Sequence, residues 1–223
     1  MSTQLTNQPA SNEVGFQTTK NKVLKNTYLL LSMTLIFSGA MAAVSMAFNL
    51  PHPGIILTLL GFFGLLFAVT KFQNSSLGIV FVFALTGFMG LTLGPVLNAY
   101  LSLPGGASIV MNALAATGVI FLALSAYVVT TKKDFSFMGG FLTVGILVGF
   151  LAGLGAFIFE MQALSLAVSA MFVLLMSGLI LYQTSEIVNS GETNYVMATT
   201  TLFVSIFNLF TSLLHLFGFA SQD

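Results

Sequence analysis

Long runs of apolar residues, broken by short polar or proline- and glycine-bearing stretches, dominate the chain from Tyr28 onward. The runs are apolar on every face, with neither the alternation of a half-buried strand nor the single stripe of a surface helix. About seven of them approach or exceed the roughly 20 residues a helix needs to cross the hydrocarbon core: Tyr28 to Phe48, Gly54 to Thr70, Ser76 to Leu101, Ala107 to Val129, Phe137 to Phe159, Gln162 to Gln183 and Asn194 to Phe219. Pro51 and Pro53 stop the first run, Lys71–Ser75 the second, Pro104-Gly105-Gly106 the third and Thr130–Ser136 the fourth. Only Glu160 and Met161 part the fifth from the sixth, which implies a tight hairpin. The pattern predicts an all-α polytopic membrane bundle of about seven transmembrane helices, because a helix satisfies its own backbone in lipid. Residues 1–25, polar at their start and without periodicity, are expected to be a flexible cytoplasmic tail ahead of a transmembrane domain over 26–223. Ala40-Met41-Ala42 imitates a signal-peptide cleavage site, but the apolar run around it is too long for one, so an uncleaved first helix is expected.

Charge sharpens this picture. Charged residues make up only 5% of the chain, against roughly a quarter in soluble domains. Lys20, Lys22, Lys25, Lys71, Lys132 and Lys133 all fall on one face of a seven-span map. The positive-inside rule then places the N-terminus in the cytoplasm and, after an odd number of spans, the C-terminus outside. Acidic Glu186 and Glu192 on the lysine face do not disturb this, since acids weigh little in the rule. With no arginine and 6 acidic residues matching the lysines, nucleic-acid binding is excluded. Two histidines and no cysteine predict no metal site and no cofactor.

The seventh run carries the most information. Thr201, Ser205, Asn208, Ser212 and His215 are spaced four, three, four, three and so share one helical stripe. Polar groups facing acyl chains would lose their partners at a cost of several kcal/mol. The stripe is therefore expected to face protein or water, with the last helix central, either bonding to neighbouring helices or lining a polar path. Small residues are expected to pack the bundle: Gly145, Gly149 and Gly153 along one face of the fifth helix, and Gly90 and Gly94 in the third, ahead of a kink at Pro95. The deep polar residues Asn112, Gln183 and Asn208 are uncharged; Glu160 and His215 are placed within reach of each other near the outer surface, and His52 in a loop. Gly106-Ala107-Ser108 is a fragment of a nucleophile motif, too short to make a Ser108–His215 hydrolase of this chain. No enzyme activity is expected.

Several segments resemble the Bax inhibitor-1 family. SAYVVTTKKDFSFMGGFL (Ser125–Leu142) and FMGLTLGPVL (Phe88–Leu97) resemble that family's fourth-loop and third-helix patterns. LYQTSEIVNSGETNY (Leu181–Tyr195), the terminal SIFNLF and LLHLFGFASQD, and the NKVLKNTYLLL start are similar to its bacterial YccA-type branch. The resemblance implies seven helices with the last enclosed by six, residence in the inner membrane, and modulation of FtsH, a membrane-anchored AAA+ protease, as partner. It also implies an alternative, a calcium or proton-linked leak channel gated by an aspartate pair on the sixth and seventh helices. Here those two positions are Gln183 and Ser205, neither of which titrates near neutrality, while Asn208 is retained.

Overall fold

The computed structural model describes residues 8–190 and 194–221, with side chains from Asn21 onward except that of Ser190. Seven helices are long and apolar enough to cross a membrane: α1 (Gln8–Ala47, its apolar part Asn21–Ala47), α2 (Ile55–Phe72), α3 (Ser76–Leu101), α4 (Gly106–Thr131), α5 (Gly139–Ile158), α6 (Gln162–Ser185) and α7 (Tyr195–Ala220). No strand occurs among the described residues. A single 3₁₀ turn, Ser136–Met138, leads into α5, and a π-helical turn, Glu186–Ser190, extends α6. Helix α1 begins well before Tyr28, inside the stretch expected as a tail. Pro9 is tolerated there because a helix's first turn has no partner for its N–H groups. Met1–Asn7 lie outside the described residues.

The breakers act where the chain turns. Glu160 holds a left-handed φ of 52° in the turn that joins α5 to α6. Gly105 takes φ 70° in the turn before α4, a conformation that suits glycine, and Gly106 packs so closely on the Tyr100 carbonyl that no side chain fits.

Helix α7 is the most buried span and packs against α1, α2, α3, α4 and α6. It joins two cores. Val196, Leu202 and Phe203 pack with Val23, Leu31, Val82 and Leu85 toward the lysine-bearing end. Leu209, Leu213 and Leu214 form a second core with Ile109 of α4, Leu142 of α5, and Leu175 and Ile180 of α6. The surround departs from six helices in one respect: α5 packs chiefly on α6, away from α7. Helix α2 is the least buried span, with Val69 its one buried residue. Ile36, Ile56, Phe67, Val80, Leu122, Phe141 and Leu174 point outward from α1 through α6. Such a belt would be an aggregation liability in water and is at home in acyl chains.

The tightest interface joins α1 to α3. Gly90 abuts the backbone of Ser38, and Gly94 abuts the Ser45 side chain with the Ala42 carbonyl 3.0 Å from where a Cβ would sit. In α5, Gly145 faces Leu175, Gly149 faces Met171 and Phe172, and Gly153 meets Val168 at an ordinary 3.6 Å, all on α6. Pro95 lies inside α3 and cannot donate to the Leu91 carbonyl one turn back. Ser45 Oγ of α1 donates to that carbonyl instead, at 2.8 Å.

Candidate functional site

The polar row of α7 turns inward. Ser205 is fully buried and Ser212 is 8% exposed, while Thr201, Asn208 and His215 are half-buried. Two of its five members are satisfied on their own helix. Ser205 Oγ donates to the Thr201 carbonyl at 2.7 Å, and Asn208 Nδ2 donates to the Val204 carbonyl at 2.8 Å. A short polar side chain in a helix reaches the carbonyl four residues back without ordering a second helix, which is why these groups close on their own backbone. Within the row only His215 makes a side-chain bond to another helix: its Nδ1 lies 2.8 Å from Ser169 Oγ of α6. Ser169 Oγ also lies 3.0 Å from the Ser165 carbonyl, and the histidine's tautomer decides which of the two acceptors takes its proton.

Asn208 borders an apolar cleft of about 680 Å³ between α2 and α5, walled by Phe62, Phe63, Phe150, Phe172 and Phe207. A second cleft, about 460 Å³, opens between α1 and α4 over Phe203 and Phe210. At the end opposite the lysines, His215 and Glu160 share a cavity of about 540 Å³ with Gln162 and Ser165. The two side chains border it without pairing, His215 being engaged by Ser169. Ser108 is exposed and makes no bond to His215, so no nucleophile–base pair forms there. Asn112 is exposed near the first turns of α4, not deep in the bundle. His52 Nδ1 accepts from the Gly54 amide in the loop before α2, at 3.0 Å.

The sequence signals missed the hydrogen bonding at the lysine-bearing end. Gln183 is 7% exposed and, among the described residues, has no side-chain hydrogen bond. Its neighbours Thr184 and Ser185 are fully buried. Ser185 Oγ accepts from the Phe135 amide at 2.8 Å and from Asn189 Nδ2 at 3.3 Å, and Asn189 Nδ2 also donates to the Lys133 carbonyl at 2.9 Å. These bonds pin the loop after α4 to the π-helical turn. The Ser136 amide donates to Asp134 at 2.8 Å, which holds that exposed carboxyl below the usual carboxylate range. Asn194 Oδ1 caps α7 through the amides of Val196 and Met197, and its Nδ2 donates to the Gln73 carbonyl and to Asn74 Oδ1 of the α2–α3 loop. Thr199 Oγ1 donates to the Thr27 carbonyl at 3.2 Å. Adjacent hydroxyls in α6 and α7 were visible in the sequence, but nothing in their spacing says which of them cross to another helix.

Among the described residues, two hydroxyls, on Thr27 and Ser125, are buried without a partner. An unpaired buried hydroxyl costs stability, and a substitution that removes it should cost little or nothing. Thr27→Val and Ser125→Ala are expected to leave thermal unfolding in detergent, followed by circular dichroism, unchanged or raised by up to ~1 kcal/mol. A loss of more than about 1 kcal/mol in either would show that the hydroxyl is bonded after all.

A family model described as inhibitor of apoptosis-promoting Bax1 matches residues 20–222. The chain is 54% identical over 201 residues to an uncharacterized protein of Pseudomonas aeruginosa, covering 90% of each. It is 51% identical over 203 residues to an Escherichia coli protein named modulator of FtsH protease YccA, covering 91% of this chain and 92% of the relative. An uncharacterized membrane protein of Vibrio cholerae is 45% identical over 204 residues, with 91% and 92% covered.

Proposed function

The chain belongs to the Bax inhibitor-1 family, and on that premise we propose that it is a non-catalytic integral membrane protein that binds an FtsH-type membrane protease and modulates its activity. The observation that carries this reading is end-to-end identity of 51% to a relative named for that role. The protein resides in the inner membrane with its lysine-bearing end in the cytoplasm: Lys22, Lys25, Lys71, Lys132 and Lys133 lie at the ends of α1, α2 and α4 that share one side. The N-terminus is then on the same side as the ATP-driven part of the protease, which is the kind of machine that grips a chain end. Of the polar positions Gln183, Thr201, Ser205, Asn208, Ser212 and His215, only His215 ties α7 to another helix, and Ser205 spends its proton on α7's own backbone, so no observation favours an ion path over modulation.

The test is co-purification of the full chain, and of a chain lacking residues 1–19, with the membrane protease, alongside turnover of a membrane-bound substrate. The full chain is expected to co-purify and to slow turnover when overproduced. Absence of association together with unchanged turnover overturns the reading.

A further inference from the structure

Helices α1 and α4 scarcely pack on one another; a ring contact between Tyr28 and Phe121, 6.0 Å between centroids, bridges them. On the lysine-bearing side of that bridge the gap widens into a pocket of about 260 Å³. Asn21 and Leu24 of α1 line one wall, Val129 and Lys132 at the end of α4 another, and Val188 and Asn189 of the π-helical turn the third. The rim is polar and the floor apolar. Asn21 begins the apolar part of α1, and Lys132 follows directly on α4, so the pocket lies at the depth where lipid phosphates meet the hydrocarbon.

Lys132 is the cation that lines the pocket. Among the described residues it makes no ion pair. Its neighbour Lys133 lies over the Tyr127 ring at 5.5 Å, and the Asp134 carboxylate is engaged by the Ser136 amide. Lys132 is also firmly placed: it holds a left-handed φ of 54°, with its amide bonded to the Val128 carbonyl at 2.8 Å.

We infer that this pocket binds the headgroup of an anionic phospholipid from the leaflet at the lysine-bearing end. The phosphate sits against Lys132 and Asn21, and the glycerol and first methylenes lie on Leu24, Val129 and Val188. Basic pockets between transmembrane helices are suited to such headgroups. A zwitterionic headgroup brings its own cation to compete with Lys132, and a soluble anion gains nothing from the apolar floor. The inference stands apart from the protease reading, since it concerns a lipid and needs no partner protein.

The test is native mass spectrometry of the purified full chain, titrated with phosphatidylglycerol, phosphatidylcholine or glycerol phosphate. The wild type is expected to prefer phosphatidylglycerol to phosphatidylcholine by about fivefold, in line with the effect of one basic side chain near an anionic surface. Lys132→Asn keeps a residue that tolerates the left-handed backbone and should abolish the preference, while Lys132→Arg and the remote Lys71→Asn should keep it. Val129→Phe fills the floor with Lys132 intact and should also abolish it, which decides the matter if Lys132→Asn does not fold. Equal binding of the two lipids by the wild type overturns the inference. So does retention of the preference by Val129→Phe, loss of it in Lys71→Asn, or displacement of the lipid by glycerol phosphate at matched concentration.

Discussion

Gly90→Ala is expected to destabilise the bundle by at least about 1–3 kcal/mol, the usual cost of forcing extra carbon into a packed core. A methyl at Gly90 collides with the Ser38 carbonyl oxygen, and its Cα and carbonyl carbon both lie 3.0 Å away. Backbone cannot rotate aside as a side-chain end can, so α1 and α3 must separate. In lipid that separation loses much, because close backbone approach is what holds apolar helices together. Gly149→Ala meets Met171 Cε at 2.8 Å and Phe172 Cε2 at 2.9 Å, which are movable ends, and should cost less. Gly153→Ala meets Val168 at 3.6 Å and should be close to neutral. The check is the midpoint of thermal unfolding in detergent for the three variants. An order other than Gly90, Gly149, Gly153, from most to least damaging, contradicts the geometry.

Ser45→Ala is expected to cost about 1–3 kcal/mol, the penalty for a buried carbonyl left without a donor. The carbonyl is that of Leu91, which Pro95 leaves free and which Ser45 Oγ reaches at 2.8 Å from the neighbouring helix. The same loss should shrink when position 95 has an N–H of its own. In a Pro95→Ala background, Ser45→Ala should cost markedly less, giving a coupling of about 0.5 kcal/mol or more in the double-mutant cycle. Strict additivity would mean that Ser45 and Pro95 do not share the Leu91 carbonyl. The pair also explains why Gly94 is tight: a side chain there would push away the serine that repairs the proline.

The two effects also mark how far the sequence could be read. The glycine pairs stood out by spacing, but not their ranking. Gly90 meets backbone and Gly153 meets a distant methyl, and that difference lies in the neighbouring helix. Pro95 advertised a missing donor, whereas Ser45, on a different helix, carried no mark of its role. The row on α7 was legible as a stripe that must avoid lipid. Its bonding was not, since Ser205 and Asn208 close on their own helix while His215 alone crosses to Ser169. At the lysine-bearing end, Ser185 and Asn194 organise three loops without any periodicity that would single them out.

Hydrophobic length and lysine placement by themselves determined seven spans, their limits to within a few residues at most ends, and the side on which the loops carry charge. Those properties depend on transfer from water to lipid, which each segment experiences alone. Tertiary structure decided which face of each helix is buried, why α5 stands behind α6, and which hydroxyl pairs with which carbonyl. Lipid and protein interior are almost equally apolar, so an apolar helix does not mark in its sequence the face it will bury; only the shape and hydrogen-bonding groups of its neighbours settle that.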